Sequence, residues 1–69
     1  MKEYEVLGKE IIRLVGGEEN IKGVKHCITR LRFNLKDIKL AQTSELEKLD
    51  KVINVLVSGG QYQIVIGND

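Results

Sequence analysis

The sequence predicts an α+β fold, an open two-layer sandwich in which a four-stranded antiparallel sheet carries helices on one face. Three observations predict it. An amphipathic helical pattern opens the chain, two pairs of short apolar segments follow, and a short helical segment separates the pairs. With 69 residues, 42% of them hydrophobic, there is room for one two-layer core, so residues 1–69 are predicted to form a single domain in the order α-β-β-α-β-β.

The first helix is predicted from Lys2 to Val15. Its apolar residues recur at helical spacing while lysine, glutamate and arginine occupy the other face. Gly16 and Gly17 end it, because glycine readily adopts the left-handed conformation found after a helix C-terminus. The residues expected to face the core are Tyr4, Leu7, Ile11, Leu14 and Val15.

A loop from Glu18 to Lys22 is followed by a predicted short strand from Val24 to Cys27, a turn at Ile28-Thr29 and a second strand from Arg30 to Lys36. The second strand has the clearest alternation in the chain. Three of its residues are expected to face the core, namely Leu31, Phe33 and Leu35. Four are expected to face outward, namely Arg30, Arg32, Asn34 and Lys36.

The segment from Asp37 to Gln42 is a connection, and a second helix is predicted from Ser44 to Leu49. Ser44 and Glu47 have the spacing of a capping box, in which each side chain bonds the backbone N–H of the other residue. Leu46 and Leu49 would pack this helix on the sheet.

The chain closes with a second predicted hairpin. An apolar strand runs from Val52 to Val57, the turn is Ser58-Gly59-Gly60, and a final strand runs from Gln61 to Ile66. In the final strand, Tyr62, Ile64 and Ile66 should share one face and Gln61, Gln63 and Val65 the other.

Composition narrows the function classes. A formal net charge of +1 argues against a dedicated binder of nucleic acid or anionic membranes, although basic residues are dense from Lys22 to Lys39. One cysteine forms no internal disulfide and lacks the partners of a metal site, which favours a reducing cytoplasm. No apolar run approaches the length of about 18 residues that a membrane helix needs, and no signal peptide is indicated.

The chemistry is concentrated around the only cysteine, Cys27, and the only histidine, His26. A thiolate is a strong nucleophile and is stabilised by nearby positive charge. Arg30 and Arg32 lie shortly after it, and a guanidinium offers paired donors that match two phosphate oxygens. Backbone N–H groups at the predicted turn could bind the same group. These residues favour a cysteine that takes up a phosphoryl group, although a buried, unreactive cysteine is the common alternative.

Three segments carry a resemblance to a known family: Asn20-Ile21, His26 to Phe33, and Gly59 to Asn68. Together they resemble the IIB domain of the glucose and sucrose class of the bacterial phosphoenolpyruvate-dependent sugar phosphotransferase system. The resemblance implies a relay, in which a phosphohistidine on a IIA domain passes its phosphoryl group to Cys27. The group then passes to a sugar in the membrane-embedded IIC domain.

The resemblance also implies roles for individual residues. Cys27 is the phosphoryl acceptor, and Arg30 and Arg32 stabilise the phosphate during transfer. Thr29 and the Ile28 amide lie at positions that surround the phosphate in the family. Gln63 matches a glutamine near the site. No metal or organic cofactor and no nucleic acid is expected, and the domain would work at the cytoplasmic face of the membrane as part of a permease.

Two finer expectations accompany the resemblance. His26, together with Gly59-Gly60-Gln61-Tyr62-Gln63, indicates the β-glucoside, sucrose or trehalose branch. The family usually has a further helix after the last strand, so this chain is expected to be a fragment of a larger permease.

Strand alternation puts His26 on the face opposite Cys27, which favours a structural histidine.

Three other functions fit parts of the sequence. The basic residues and Phe33 would suit a nucleic-acid module, but alternation turns Phe33 inward, away from any stacking face. A redox-sensing thiol lacks a second cysteine to resolve it. A non-catalytic interaction module would use the open face of the sheet without chemistry at Cys27.

Overall fold

The structure is a computed structural model that describes the backbone of residues 2–67 and the side chains of residues 5–67. It contains two α-helices and four strands. The elements are α1 (Lys2–Leu14), β1 (Ile21–His26), β2 (Arg30–Leu35), α2 (Thr43–Glu47), β3 (Val52–Ser58) and β4 (Gln61–Ile66), with short 3-10 turns at Glu18–Asn20 and Ile38–Leu40.

The strands form one antiparallel sheet in the order β1-β2-β4-β3. Each sequential hairpin forms one half of it, and β2 and β4 meet in the centre. This confirms the predicted four-stranded open sandwich and its order of elements. No helix in residues 2–67 is long and apolar enough to cross a membrane.

The core lies between the helices and one face of the sheet. The side chains expected to face it do so on α1, β2 and β4, and Tyr4 lies outside the side chains described. The buried apolar residues are Ile11, Leu14, Val15, Phe33, Leu35, Leu46, Val52, Val55, Tyr62 and Ile64. Period-two alternation therefore identified the buried face of both central strands.

The first strand differs from its predicted bounds. It begins at Ile21 rather than Val24 and ends at His26 rather than Cys27. The predicted loop overlapped its first two residues because a shift in register lies between Ile21 and Gly23, which interrupts the alternation there. Cys27 is consequently the first residue of the connecting loop.

The predicted capping box is wrong. The second helix begins at Thr43, so Ser44 lies inside it, and Gln42 occupies the N-cap without a side-chain hydrogen bond. Tertiary contacts set this start, because the Gln42 N–H donates to the carbonyl of Leu14 at 2.7 Å. The helix ends at Glu47, before the predicted Leu49, but Leu46 is buried and Leu49 packs on the core as expected.

A buried asparagine joins α1, the first hairpin and the segment after it. The Nδ2 of Asn20 donates to the carbonyls of Val15 (2.7 Å) and Asp37 (2.9 Å), and its Oδ1 accepts from the N–H of Asp37 at 2.9 Å. Its own carbonyl accepts from Lys36 N–H at 2.8 Å. Gly16 makes room for it, because a Cβ there would lie 2.7 Å from Asn20 Nδ2.

The second hairpin turns at Gly59 and Gly60, whose φ angles of 59° and 78° are the left-handed values that a tight two-residue turn requires. This confirms the predicted turn at the two glycines, whereas Ser58 is the last residue of β3 and pairs with Gln61. The expectation that this chain is a fragment of a larger permease, without the further helix that the family usually has, stays a prediction.

Replacing Asn20 with alanine should lower the free energy of unfolding by about 3 kcal/mol, because the buried bond to the Val15 carbonyl and the part-buried bonds to the Asp37 N–H and carbonyl would all be lost. Urea denaturation measures this. Asn34→Ala, at an exposed position on β2, is the matched control and should change stability by less than about 0.5 kcal/mol. Equal, small losses in both variants would show that the Asn20 bonds do not hold these segments together.

Tyr62 gives the fold a predictable response to alkali. Burial raises the pKa of its hydroxyl above the usual 10.0, while the hydrogen bond with Thr43 (2.6 Å) acts in the opposite direction. A raised pKa in the folded state means that this contribution to stability is complete below about pH 10 and is lost as pH rises through the folded value. Urea midpoints between pH 8 and 11 should therefore fall more steeply for the wild type than for Tyr62→Phe, and parallel curves would contradict this.

Candidate functional site

The site centres on the loop that joins β1 to β2. The N–H of Cys27 donates to the carbonyl of Arg30 at 2.8 Å, which closes the loop around Ile28 and Thr29. The carbonyl of Thr29 accepts from the N–H of Ile66 at 2.7 Å, so the loop is also fixed to the end of β4. These two bonds confirm a tight turn at the predicted residues and give the loop a defined shape.

The loop presents its chemistry to solvent. Cys27 is a free, exposed cysteine, and the neighbouring Ile28 side chain is 93% exposed. Within residues 2–67, the N–H groups of Ile28 and Thr29 are absent from the backbone hydrogen bonds of turns and loops. An accessible thiol thus lies next to two amide donors that have no backbone acceptor within the described residues. The common alternative of a buried cysteine is wrong.

The two arginines project from the face of the sheet that the helices do not cover. Arg30 is paired with Val65, and Arg32 lies between Lys25 on β1 and Gln63 on β4. Long side chains at adjacent positions on one face reach each other across strands. The register therefore places three cationic side chains together at the loop end of the sheet.

The positive charges of Arg30 and Arg32 are not balanced by nearby carboxylates among the described side chains. The ion pairs among the described side chains join Arg13 to Glu10 and Lys48 to Glu45, so neither Arg30 nor Arg32 has a carboxylate partner there. The Nε of Arg32 is buried and has no hydrogen-bond partner within residues 5–67. A site with unsatisfied donors and uncompensated positive charge is suited to an anion.

Gln63 contacts an arginine of this group directly. Its Oε1 accepts a hydrogen bond from Arg30 Nη1 at 2.8 Å, and its Nε2 approaches Gln61 Oε1 at 3.5 Å. Although it lies on the polar face of the sheet, Gln63 is only 3% exposed. Residue spacing did not indicate this contact, because the two partners are 33 positions apart in the chain.

The register pairs His26 with Leu31 and so puts its side chain on the sheet face opposite Arg32, while His26 and Arg30 both line one cavity beside the loop. His26 is exposed and lines a mostly apolar cavity of about 360 Å³ between α1 and the loop, together with Leu7, Ile11, Leu31 and Ile66. Because Cys27 lies in the loop after β1, strand alternation does not set its side relative to His26, and the expected placement of His26 opposite Cys27 stays a prediction. In residues 2–67, no group of three or more His, Cys, Asp or Glu side chains is arranged to hold a metal ion.

Comparison with known proteins identifies the family. The family described as "phosphotransferase system, EIIB" matches residues 9–42. A crystal structure of one domain of the PTS system IIabc component from Clostridium difficile is 40% identical, with a TM-score of 0.86. The superposition covers 94% of this chain and 67% of that one. The chain belongs to the EIIB family of the phosphotransferase system, which confirms the resemblance drawn from its sequence.

Three curated relatives come from the branch that the resemblance indicated. The β-glucoside-specific EIIBCA component of Halalkalibacterium halodurans is 58% identical over 96% of this chain. The sucrose-specific EIIBC component of Bacillus subtilis is 43% identical over 94% of it, and the trehalose-specific EIIBC component of Escherichia coli is 48% identical over 86%. The chain spans only 10%, 14% and 12%, respectively, of the length of these relatives.

The exposed thiol makes a direct prediction. Cys27 should react with a disulfide reagent such as dithiobis-nitrobenzoate in the native protein, at a rate that denaturant changes by less than about tenfold, because no protein layer covers it. Absorbance of the released thiolate measures the rate. A reaction that requires unfolding, with a rate that rises by several orders of magnitude in urea, would mean that the thiol is buried.

Proposed function

We propose that this chain is a phosphocysteine relay in sugar uptake. Cys27 accepts a phosphoryl group from a phosphohistidine on a IIA domain and donates it to a sugar bound by a IIC membrane domain. The observation that carries the proposal is an exposed thiol beside the N–H groups of Ile28 and Thr29, on a loop next to two arginines that have no carboxylate partner among the side chains of residues 5–67.

The first transfer is a displacement at phosphorus. The Cys27 thiolate attacks the phosphohistidine, an S–P bond forms, and the P–N bond breaks with its electron pair left on the imidazole nitrogen. In the second transfer a sugar hydroxyl attacks the same phosphorus, the S–P bond breaks, and Cys27 leaves as a thiolate. The hydroxyl proton is released, so the product is a sugar phosphate and the thiolate is regenerated.

The proposed residue roles follow from the charges in these steps. Phosphoryl transfer needs positioning and electrostatic stabilisation rather than further covalent chemistry from the protein. Arg30 and Arg32 would balance the charge on the phosphoryl oxygens, and the amides of Ile28 and Thr29 would hold those oxygens by hydrogen bonds. Gln63 completes the proposed phosphate site through its bond to Arg30.

The proposed partners are a IIA domain as phosphoryl donor and a IIC domain as the site of the acceptor sugar. Support comes from the names of the relatives, which combine EIIB with C or with C and A. A β-glucoside is the proposed sugar class, because a β-glucoside-specific relative reaches 58% identity. We place the domain at the cytoplasmic face of the membrane, where such a permease would receive its phosphoryl group.

The alternative functions have less support. A nucleic-acid module would need an exposed aromatic face, but Phe33 is 3% exposed and lies in the core. A redox module would need a resolving thiol, and Cys27 is the only cysteine of the chain.

Intact mass spectrometry tests the proposal. The domain is incubated with phosphoenolpyruvate, the general phosphotransferase proteins and a β-glucoside-type IIA domain. Wild type should gain one phosphoryl group and Cys27→Ser none. Arg30→Lys and Arg32→Lys should be phosphorylated at least about tenfold more slowly, because an ammonium does not reproduce the paired donors of a guanidinium.

Arg13→Lys is the matched control for these arginine variants. Arg13 lies on the exposed surface of α1 in an ion pair with Glu10, away from the loop, so its replacement should leave the rate unchanged. Phosphorylation of Cys27→Ser at the wild-type rate would exclude Cys27 as the acceptor. A wild type that gains no phosphoryl group from its IIA partner would contradict the relay itself.

A further inference from the structure

We infer that Gln63 is a positioning residue for Arg30, and that it serves this role because its side chain is uncharged. The inference deepens the proposed relay and rests on it. Its structural half, that Gln63 holds the Arg30 guanidinium in place, is testable without phosphoryl transfer.

The contact is well suited to fixing an arginine. Arg30 and Gln63 are diagonal neighbours on adjacent strands, and their side chains meet at 2.8 Å. Gln63 is held between Arg32 on β2 and Leu56 on β3, the two residues paired with it in the sheet. Because Gln63 is only 3% exposed, neighbouring side chains restrict its amide, and the hydrogen bond from Arg30 Nη1 identifies the oxygen as the atom that faces the guanidinium.

The neighbouring Gln61 supports this orientation. A glutamine amide has an oxygen that only accepts and a nitrogen that only donates. With the nitrogen of Gln63 directed toward Gln61 Oε1 at 3.5 Å, the oxygen faces the guanidinium. The opposite orientation would set two groups of donors, the amide nitrogen and the guanidinium, against each other.

The neutral side chain of Gln63 favours binding of the negatively charged phosphoryl group. An arginine with a flexible side chain loses considerable entropy when it binds phosphate, and holding it beforehand reduces that loss. A carboxylate at position 63 would hold Arg30 equally well but would compensate its positive charge and repel a phosphoryl group. The amide oxygen takes one of the five N–H donors of the guanidinium and leaves its full charge available.

A polar residue at this position is otherwise unexplained by packing. Burying an amide costs free energy unless it is hydrogen-bonded, and a strand position next to Leu56 would accommodate an apolar side chain. The bond to Arg30 is the strong hydrogen bond that Gln63 makes among the described residues. The fold thus retains a buried amide whose principal contact is an arginine of the proposed site.

Two substitutions separate the parts of the inference. Gln63→Met removes the acceptor while keeping a long side chain, whereas Gln63→Glu keeps the acceptor and adds a negative charge. Gln42→Glu is the control for the charge change, because Gln42 is exposed at the start of α2 and its side chain makes no cap hydrogen bond.

The first readout is nitrogen-15 NMR of the Arg30 guanidinium. Rotation about its Nε–Cζ bond should be slow in wild type and in Gln63→Glu, and fast in Gln63→Met. The second readout is the rate of phosphoryl transfer from the phosphorylated IIA domain. It should fall by about tenfold in Gln63→Met, by about a hundredfold in Gln63→Glu, and not at all in Gln42→Glu.

The outcomes distinguish the inference from the relay on which it rests. Equally fast rotation of Arg30 in wild type and in Gln63→Met would overturn the positioning role, even if Cys27 is phosphorylated normally. Transfer by Gln63→Glu at the wild-type rate would overturn the requirement for an uncharged side chain. A wild type that is not phosphorylated would instead overturn the relay, while the Arg30 spectra still decide whether Gln63 holds the guanidinium.

Discussion

The register between β2 and β4 is the constraint on which the site depends. These central strands come from different hairpins, and their pairing sets Arg32 opposite Gln63 and Arg30 opposite Val65. The same pairing continues past the strand end, where the Ile66 N–H donates to the Thr29 carbonyl. A shift of one residue would turn the side chains of β4 over and bury the glutamines in the core. The packing of Tyr62 and Ile64 against the helices therefore also determines the geometry of the arginines.

Polar groups are hydrogen-bonded at the base of the first hairpin, whereas some donors at its tip have no partner among the described residues. At its base, Asn20 is buried and its amide satisfies three backbone groups of Val15 and Asp37. At its tip, the amides of Ile28 and Thr29 have no acceptor among the backbone bonds of the described loops. Arg32 Nε is likewise without a partner in residues 5–67. Buried polar groups in proteins are normally hydrogen-bonded, so the unpaired Nε of Arg32 indicates a place for a bound group, and the exposed amides of Ile28 and Thr29 are free to bind it as well. The stable base of the hairpin holds this reactive tip in position.

The sequence predicted those features that depend on local patterns. Alternation in β2 and β4 identified the buried face because a period of two fixes each side chain relative to its neighbours. The start of β1 was missed because the change of register near Gly23 interrupts that period. The capping box failed because a bond from Gln42 to Leu14, a contact between distant segments, sets the start of α2.

The sequence predicted the residues of the candidate site that are close in the chain, but not the contact between its two hairpins. Cys27, Arg30 and Arg32 are close in the sequence, and both their residue types and the family resemblance indicated phosphate chemistry. The bond between Arg30 and Gln63 joins two hairpins and follows no local pattern, so only the folded chain reveals which atoms meet. The Cys27 N–H, which belongs to the predicted end of the first strand, closes the loop by donating to the Arg30 carbonyl.

The most direct test of this account is an NMR spectrum of the phosphorylated domain that reports both the phosphorus and the backbone amides. The account predicts a phosphorus resonance typical of a thiophosphate ester, coupled to the Cys27 methylene protons. It also predicts that the amide protons of Ile28 and Thr29 shift downfield, because they donate to the phosphoryl oxygens. Gly59 and Gly60, in the turn of the other hairpin, should be unaffected. A phosphoramidate resonance from His26, or unchanged amides at Ile28 and Thr29, would contradict it.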